Sequence, residues 1–486
     1  MDHATRATPL PRSFPSFAAR SATNLTTGPI ARTLLFFTLP TLVSSVLQSM
    51  NASINAAWIG RLLGEDALTA SANANSLIFL LLSAVFGLGL ASTVIVGQCL
   101  GARDLDRAKR TVGTSFSFFA VVSVVLASFG ALFAPEILRA MSTPAAALPL
   151  AIAYLRVYFC ALPGMYLFSF AMMALRGAGD AQTPLKFLLV SALIDVALNP
   201  CFIAGVGPLP ALGIAGSACA TLVAQWLSLS AMIASLYWRK HFLRIGRGEA
   251  HYLRPDGAIL RALLAKGIPM GLQVMVVSSS MLAVISLVNR YGSRTAAAYG
   301  ACLQLWSYIQ MPAFAVGTAV SAMAAQNVGA RLWTRVTRIT QVGIAYNVVM
   351  TGVLVLIVTL ASHGAFGVFL GDHPDTIAVA THIHNCVSWS FVLFGVSFVL
   401  SSVMRATGAV LPPLFIIFIA LWVVRIPFAH MLMPTLHADA IWWSFPLGST
   451  VSVALTALYY RSGRWRRARL VDSVPPLDSV PPPRDA

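Results

Sequence analysis

The residues best suited to chemistry in this sequence lie in one apolar stretch, 187–200. Asp195 stands near its centre, with Ser191 four residues before it and Asn199 four residues after it. This spacing places the three side chains on one face of a helix. An acidic side chain inside hydrocarbon is costly unless it is paired, protonated or hydrated, so it indicates a functional site. The alternative is a buried aspartate that only bonds a neighbouring helix.

A second polar stripe runs along the first long apolar segment of the chain. Ser44, Gln48, Asn51 and Asn55 follow one another at spacings of three or four residues, which keeps them on one helical face. We expect this stripe to meet the one around Asp195. The alternative is that these hydroxyl and amide groups only hold helices together, as such groups often do in membranes.

Further polar and aromatic candidates lie in the second half of the chain. Gln304, Trp306 and Met311 are suited to a cavity for aromatic cations or other amphipathic solutes, although ordinary packing would use the same residues. Arg425 is expected to form an ion pair or to clamp a carbonyl group. The predicted substrate pathway comprises Gln48, Asn51, Ser191, Gln304, Trp306, Met311 and Arg425.

The composition requires a membrane around these residues. Of 486 residues, 57% are hydrophobic and only 10% are charged, which does not fit an ordinary soluble surface. Hydropathy predicts an all-α protein with twelve spans. The predicted spans are 33–58, 74–97, 112–133, 150–175, 184–205, 212–237, 262–289, 297–323, 337–361, 380–403, 412–435 and 440–460.

The positive charge follows the parity of the connections between spans. The tails and even-numbered connections hold 27 of the 33 lysines and arginines. By the positive-inside rule, both termini are cytoplasmic in a multi-pass protein of the plasma membrane, which is the inner membrane in a bacterium. The net charge of +17 is therefore explained by topology, and we expect no nucleic-acid partner.

Nothing in the sequence suggests a metal site or a cofactor. All six cysteines lie in apolar segments without paired spacing, and His382 and His384 do not converge on one helical face. Residues 1–28 are rich in Ser, Thr, Pro and Arg and are predicted to be a disordered cytoplasmic tail. Residues 461–486 are basic and then proline-rich, and the same prediction applies to them.

The two halves of the chain resemble each other at a nearly constant offset. RTLLFFTLP (32–40) matches RALLAKGIP (261–269), and LRGAG (175–179) matches MRATG (404–408) at the same offset. Between them VGQCLGAR (96–103) matches AAQNVGAR (324–331) with a slip of one position. Six spans per unit give both copies the same orientation, with a site between them. We predict an N-lobe (29–238), a cytoplasmic connection (239–261) and a C-lobe (262–460).

These motifs carry a family resemblance. LPTLVSSVLQS, WIGRLLGEDALTA, VGQCLGARDLDRAKR and LRGAGDAQTP in the first half resemble the multidrug and toxic compound extrusion family. In the second half, YGACLQLWSYIQMPAFAVGTAVSAMAAQNVGA and LWVVRIP resemble its DNA-damage-inducible branch. The resemblance covers about residues 30–460. It implies a two-lobe antiporter that exports organic, cationic or amphipathic compounds in exchange for H⁺ or Na⁺.

The sequence departs from the family pattern at the acidic positions. Members carry an acid in the first span, where this chain has Asn55, and in the fifth span Asp195 and Asn199 stand exchanged by one helical turn. The resemblance therefore implies an ion-coupling site made of Asp195 with Asn55, Asn199 and Thr221 as neutral oxygen donors. Burial disfavours a charged carboxyl group, which favours proton over sodium coupling.

Two other functions compete with an ion-coupled exporter. A lipid-linked saccharide flippase of related fold would need more than one cation facing its cavity, and Arg425 is the clear candidate in the sequence. A membrane-embedded enzyme would need a catalytic constellation within the spans, which the sequence does not contain. We expect a monomeric transporter, not an enzyme, whose partners are small organic substrates and the lipid bilayer.

Overall fold

The computed structural model describes residues 24–141, 143–144, 147–205, 211–371 and 373–467. Over these ranges helices are the only regular secondary structure, and twelve of them are long and apolar enough to cross a membrane. The predicted all-α fold with twelve spans is confirmed. The helices are α1 (Ile30–Leu63), α2 (Glu65–Gly101), α3 (Leu105–Leu132), α4 (Leu148–Gly177), α5 (Gln182–Ala204), α6 (Ile214–Trp238), α7 (Gly257–Tyr291), α8 (Ser293–Gly329), α9 (Trp333–Leu360), α10 (Ser390–Thr407), α11 (Leu411–Leu436) and α12 (Asp439–Arg461).

Turns with a left-handed backbone recur at matched places in the two halves. Gly64 between α1 and α2 has φ 85°, and Gly292 between α7 and α8 has φ 89°. Arg103 after α2 and Arg331 after α8 have φ values of 62° and 61°. A non-glycine residue rarely adopts positive φ, so its recurrence at matched positions of the sequence repeat reflects a duplicated structure. The predicted pair of pseudo-symmetric six-helix lobes, α1–α6 and α7–α12, is confirmed.

The lobes have separate cores at one end of the molecule and a common core at the other. One buried cluster around Tyr166 and Phe168 belongs to the N-lobe, and another around Trp306 and Trp442 belongs to the C-lobe. A third cluster contains residues of both lobes, including the last turns of α2 and α8. We refer to this end of the molecule, where α2 and α8 terminate, as the sealed face.

Glycines and two glutamines hold the lobes together at the sealed face. A Cβ atom at Gly101 would overlap the backbone of Gln326, and one at Gly329 would overlap the backbone of Gln98. The absence of side chains lets α2 and α8 pack backbone to backbone. Gln98 Nε2 donates to the Ala406 carbonyl at 2.6 Å, and Gln326 Nε2 donates to the Gly177 carbonyl at 3.1 Å. We call this reciprocal pair of hydrogen bonds the glutamine latch.

Two segments that the sequence assigned to disordered tails are packed. Leu25 is fully buried; its N–H donates to Gln326 Oε1 at 3.3 Å, and its carbonyl accepts from Asn327 Nδ2 at 3.0 Å. Trp465 is buried and stacks on Tyr460. Residues 24–28 and 461–467, which composition assigns to the predicted tails, thus contact the helices, because burial of single large apolar side chains outweighs the polar composition of each segment. The rest of both predicted tails, 1–23 and 468–486, lies outside the described residues.

Two helices of the C-lobe are interrupted. The predicted span 380–403 is divided into a helix Pro374–Val387 and α10. At the break, Ser390 Oγ donates to the Val387 carbonyl. A serine side chain can compete in this way for backbone groups that would otherwise continue the helix. In α11, residues Ile419–Arg425 form a π-helical segment. Such bulges are inserted where a helix must re-aim its side chains.

The segment between the lobes lies against α3. Its 3₁₀ turn, Arg247–Leu253, carries Glu249, which accepts an ion-paired hydrogen bond from Lys109 Nζ at 2.7 Å. Ser117 Oγ donates to the Leu253 carbonyl at 2.6 Å. Asp256 then caps the first turn of α7 through the N–H groups of Ala258 and Ile259. The connection is thus ordered, and it ties the start of α7 to the N-lobe.

Candidate functional site

The carboxylate of Asp195 is the meeting point of three helices in the N-lobe. The side chain is only 3% exposed, in the middle of α5. Asn51 Nδ2 and Asn55 Nδ2 of α1 donate to its Oδ2 at 2.7 and 2.8 Å. Thr221 Oγ1 of α6 donates to its Oδ1 at 3.1 Å. The polar stripes of α1 and α5 therefore meet as expected.

Helical periodicity explains how these side chains converge. Asn51 and Asn55 are four residues apart, so both reach the same carboxylate oxygen from one face of α1. Ser191, Asp195 and Asn199 are all buried on one face of α5, between α1 and α6. The arrangement gives a buried acidic group three hydrogen bonds and, within the described ranges, no ionic partner.

One predicted member of the ion-coupling set does not touch the carboxylate. Asn199 Nδ2 donates to Ser217 Oγ of α6 at 3.1 Å, one helical turn away from Asp195. Ser191 is buried on the same face but makes no described hydrogen bond to Asp195. The structure thus assembles Asp195 with Asn51, Asn55 and Thr221 and leaves Asn199 in the neighbouring layer.

Three buried amide oxygens near the carboxylate have no hydrogen-bond partner among the described residues. They are Oδ1 of Asn51, Asn55 and Asn199. The two ends of an asparagine amide can be exchanged by rotation, which would turn an oxygen of Asn51 or Asn55 towards Asp195. Amide and carboxylate oxygens suit hard cations, and an amide oxygen also accepts the proton of a neutral carboxyl group. The site can therefore accommodate a small cation or a proton.

A cavity of about 580 Å³ lies between the lobes. Gln48 of α1 and Met311 of α8, two predicted pathway residues, line this interlobe cavity. Its walls are mostly apolar and include Phe79, Phe86, Phe314, Phe398, Met172, Met173 and Met270. Gln48 lies one turn from Asn51 on α1, so the polar stripe of α1 extends from the cavity towards Asp195.

Five of the seven predicted pathway residues do not line the interlobe cavity: Asn51, Ser191, Gln304, Trp306 and Arg425. Trp306 is fully buried in the C-lobe core, where its Nε1 donates to His384 Nδ1 at 3.3 Å. Gln304 is exposed, and its Nε2 donates to Tyr308 Oη at 3.4 Å. Trp306 faces the interior of the C-lobe because its side of α8 turns into the lobe, an orientation that residue type alone does not reveal. Its place on the substrate pathway stays a prediction.

Arg425 forms neither of its predicted interactions with any residue that the structure describes. It lies in the C-lobe, in the π-helical segment of α11, with its guanidinium carbon 3.4 Å from the ring centroid of Phe445. Its Nε and Nη2 atoms are buried without a hydrogen bond. The expected ion pair or carbonyl clamp is wrong, because the cation packs on an aromatic face instead.

Two arginines that were not among the predicted site residues also line the interlobe cavity, Arg176 and Arg405. Both belong to the 27 lysines and arginines that the charge distribution assigns to the tails and even-numbered connections. The signal that could have found them is the repeat itself, because LRGAG (175–179) and MRATG (404–408) place them at equivalent positions of the two halves.

Comparisons with known proteins agree with this duplicated architecture. The MatE family model matches the chain twice, at residues 40–201 and 269–431. The probable multidrug resistance protein YoeA of Bacillus subtilis is 38% identical over 432 residues, which are 88% of this chain and 93% of YoeA. The probable multidrug resistance protein YpnP of the same organism is 31% identical over 455 residues, 92% of this chain and 99% of YpnP.

A solved structure has the same fold. The outward-facing conformation of a multidrug resistance MATE family transporter of the MOP superfamily superposes with a TM-score of 0.83 at 18% identity. The alignment covers 91% of this chain and 98% of that transporter. Since the family model matches both halves and the two Bacillus subtilis relatives align with nearly the whole sequence, the chain belongs to the MatE family of multidrug and toxic compound extrusion transporters.

Proposed function

We propose that this protein is a secondary active exporter that moves amphipathic organic compounds out of the cytoplasm in exchange for protons. The observation that carries the proposal is the buried Asp195 carboxylate, held by hydrogen-bond donors from α1 and α6. It is the one acidic side chain in the interior of the twelve helices, as far as the structure describes them. A group that can change charge at that depth is suited to ion coupling.

The proposed orientation places the sealed face on the cytoplasmic side. Basic residues such as Arg103, Lys109 and Arg331 surround the ends of α2 and α8, as the positive-inside rule requires of cytoplasmic connections. The separate lobe cores then face the outside, so the described conformation is closed to the cytoplasm. Transport would proceed by rocking of the two lobes about the cavity between them.

Helix α1 is the proposed link between ion and substrate. It contacts α5 and α6 around Asp195 and contacts α8 across the lobe interface. When a proton neutralises Asp195, the carboxyl group no longer accepts both amide hydrogen bonds from Asn51 and Asn55 as a carboxylate does. Rearrangement of those amides would change how α1 packs beside Gln48, which lines the cavity.

The substitution Asp195→Asn tests the proposal. We expect normal membrane insertion, because the change removes a buried charge, and loss of gradient-driven efflux from proteoliposomes. A pH gradient and a Na⁺ gradient are imposed separately, and Glu65→Gln at the exposed start of α2 serves as the matched control. Export by Asp195→Asn at the wild-type rate would refute the coupling role. Export by the wild type under a Na⁺ gradient alone would reassign the ion.

A flippase for a lipid-linked saccharide is the second candidate. The observation in its favour is that two arginines line the interlobe cavity, which satisfies the requirement for more than one cation. A flippase should translocate a fluorescent pyrophosphate-linked lipid in proteoliposomes, whereas the exporter should move soluble dyes and leave that lipid in place.

A further inference from the structure

We propose that the interlobe cavity binds an anionic group of its substrate, a carboxylate, sulfonate or phosphate, between Arg176 and Arg405. The inference rests on the proposed export function and adds the charge class of the compound. It replaces the expectation of cationic substrates. The residues lining the cavity include both arginines and no aspartate or glutamate, and Asp195 is not among them.

Arg176 has no ionic or hydrogen-bond partner within the part of the chain that the structure describes. It lies in the last turn of α4 and is one of the residues that line the cavity. Its Nε atom is buried without a hydrogen bond, and among the described residues no acceptor or acidic side chain pairs with the rest of the group. A guanidinium group in apolar surroundings is stabilised best by an oxyanion, which can accept two parallel hydrogen bonds.

Arg405 is fixed in place but is likewise not neutralised. Its Nη1 donates to Gln273 Oε1 at 3.1 Å, and its Nη2 donates to Ser402 Oγ at 2.7 Å. Its guanidinium carbon lies 4.9 Å from the ring centroid of Phe398. These partners are neutral, so they orient the guanidinium and leave its charge available to a ligand.

The repeat explains why the two arginines differ. At the offset that relates Arg405 to Arg176, Gln273 and Ser402 correspond to Ser44 and Met173 in the N-lobe. The Ser44 hydroxyl bonds its own helix, and a methionine side chain is a poor acceptor. Arg176 in the N-lobe therefore lacks the side chains that hold Arg405 in the C-lobe. A ligand oxyanion would take the place of those acceptors at Arg176.

The rest of the cavity defines the body of the ligand. Phenylalanine and methionine side chains from both lobes dominate its walls, which suits an aromatic or aliphatic body of adaptable shape. A volume of about 580 Å³ is in the range of pockets for drug-sized molecules. The predicted ligand is thus an amphipathic anion whose charged end lies at the arginines.

The site also adjoins the glutamine latch. The carbonyls that accept the latch hydrogen bonds belong to Gly177 and Ala406, the residues directly after Arg176 and Arg405. An anion bound by the two arginines would therefore act on the same backbone turns that keep the sealed face closed.

Equilibrium binding to the wild-type protein provides the first test, without any ion gradient. Dansylglycine, an anion, dansylcadaverine, a cation, and neutral dansylamide carry the same fluorophore and are titrated into purified full-length protein in nanodiscs of zwitterionic lipid. We expect dansylglycine to bind at least about tenfold more tightly than dansylcadaverine. Equal affinity, or a preference for the cation, would overturn the inference.

Substitutions locate the anion. Arg176→Gln and Arg405→Gln should each weaken dansylglycine binding by about tenfold or more and leave dansylamide binding nearly unchanged. Arg176→Lys keeps the charge and should retain most of the affinity. Arg338→Gln, at an exposed position on α9, removes the same charge elsewhere and should have no effect. If both glutamine variants bind dansylglycine as the wild type does, the assigned site is wrong. If a glutamine variant does not fold, the wild-type titrations and Arg176→Lys still decide.

A lipid arm identifies the source of the anion. The titration is repeated in nanodiscs that contain phosphatidylglycerol. Competition by this lipid supports an anionic headgroup as the natural ligand, and absence of competition supports a soluble anion. The inference and the proposed function can fail separately. If the wild-type protein pumps dansylcadaverine but not dansylglycine, the anion site is contradicted and the export function is not. If the wild-type protein shows no gradient-driven transport at all, the export function is contradicted.

Discussion

At the scale of single residues, the N-lobe site depends on which side chains reach the Asp195 carboxylate. Two amides and one hydroxyl do so, and Asn199 does not. The family pattern that the sequence resembles has the acid at position 199 and the asparagine at 195. The exchange therefore brings the acid within reach of Asn51 and Asn55 and moves the amide into the layer of Ser217.

The double substitution Asp195→Asn with Asn199→Asp tests that placement. The carboxylate at position 199 would gain Ser217 as a hydrogen-bond partner and lose the donors on α1. We therefore expect that the double variant does not restore efflux. Loss of a hydrogen bond to a charged group costs about 1.5–3 kcal/mol, or at least about a tenfold change in occupancy of the functional state. The measurement is dye efflux under a pH gradient. Efflux at the wild-type rate would show that either turn of α5 can carry the ion.

Arg425 allows a separate prediction about stability. Its guanidinium is buried on the ring of Phe445 with two nitrogens unbonded, and an unpaired buried charge is costly. Arg425→Met, which keeps an unbranched side chain of similar reach, should leave the melting temperature unchanged or raise it. Phe445→Ala should lower it, because it removes about 3–5 kcal/mol of buried aromatic packing. A large drop in the melting temperature of the Arg425→Met variant would show that Arg425 has a structural role that its contacts do not explain.

At the scale of helices, α2 and α8 form the contact that keeps the lobes together. Glycines at their ends permit the close approach, and the glutamine latch adds one hydrogen bond in each direction across the interface. A hydrogen bond contributes about 0.5–1.5 kcal/mol net, so each half of the latch shifts the opening equilibrium by about two- to tenfold. That range suits an interface that must open once per transport cycle.

Cys99, fully buried beside the latch on α2, reports its opening. With Cys99 as the single cysteine, Gln98→Ala and Gln326→Ala should each raise its rate of reaction with a membrane-permeant maleimide by about two- to tenfold. Gln310→Ala is the matched control, because the described hydrogen bond of Gln310 goes to the Trp306 carbonyl of its own helix. Equal labelling rates in all three variants would contradict a closing role for the latch.

At the scale of the whole molecule, the proposed orientation rests on the distribution of charge and predicts which surfaces face the cytoplasm. Asp66 at the start of α2 and Arg338 on α9 are both exposed and lie at opposite ends of the lobes. In a cysteine-free background, Asp66→Cys should react with an impermeant maleimide in intact cells. Arg338→Cys should react only after permeabilisation. The reverse pattern would invert the proposed topology.

Local periodicity determined much of this protein from the sequence alone. Apolar segments of spanning length, the repeat at a nearly constant offset and the polar faces of α1 and α5 can all be read along the chain without knowledge of its packing. They predicted twelve helices, two lobes and Asp195 as the central acidic group. The meeting of α1 with α5 followed because each helix has one polar face to bury.

Tertiary structure alone decided which of the remaining polar residues meet. Helix rotation and the distance between helices select Asn51 over Asn199 as a partner of Asp195, turn Trp306 into the C-lobe and leave Arg425 on an aromatic ring. Arg176 and Arg405 stand in helix ends that hydropathy assigns to the cytoplasm, yet both line the cavity. Hydropathy records how apolar a segment is and not which neighbour each side chain faces, so these contacts emerged only when the helices were packed.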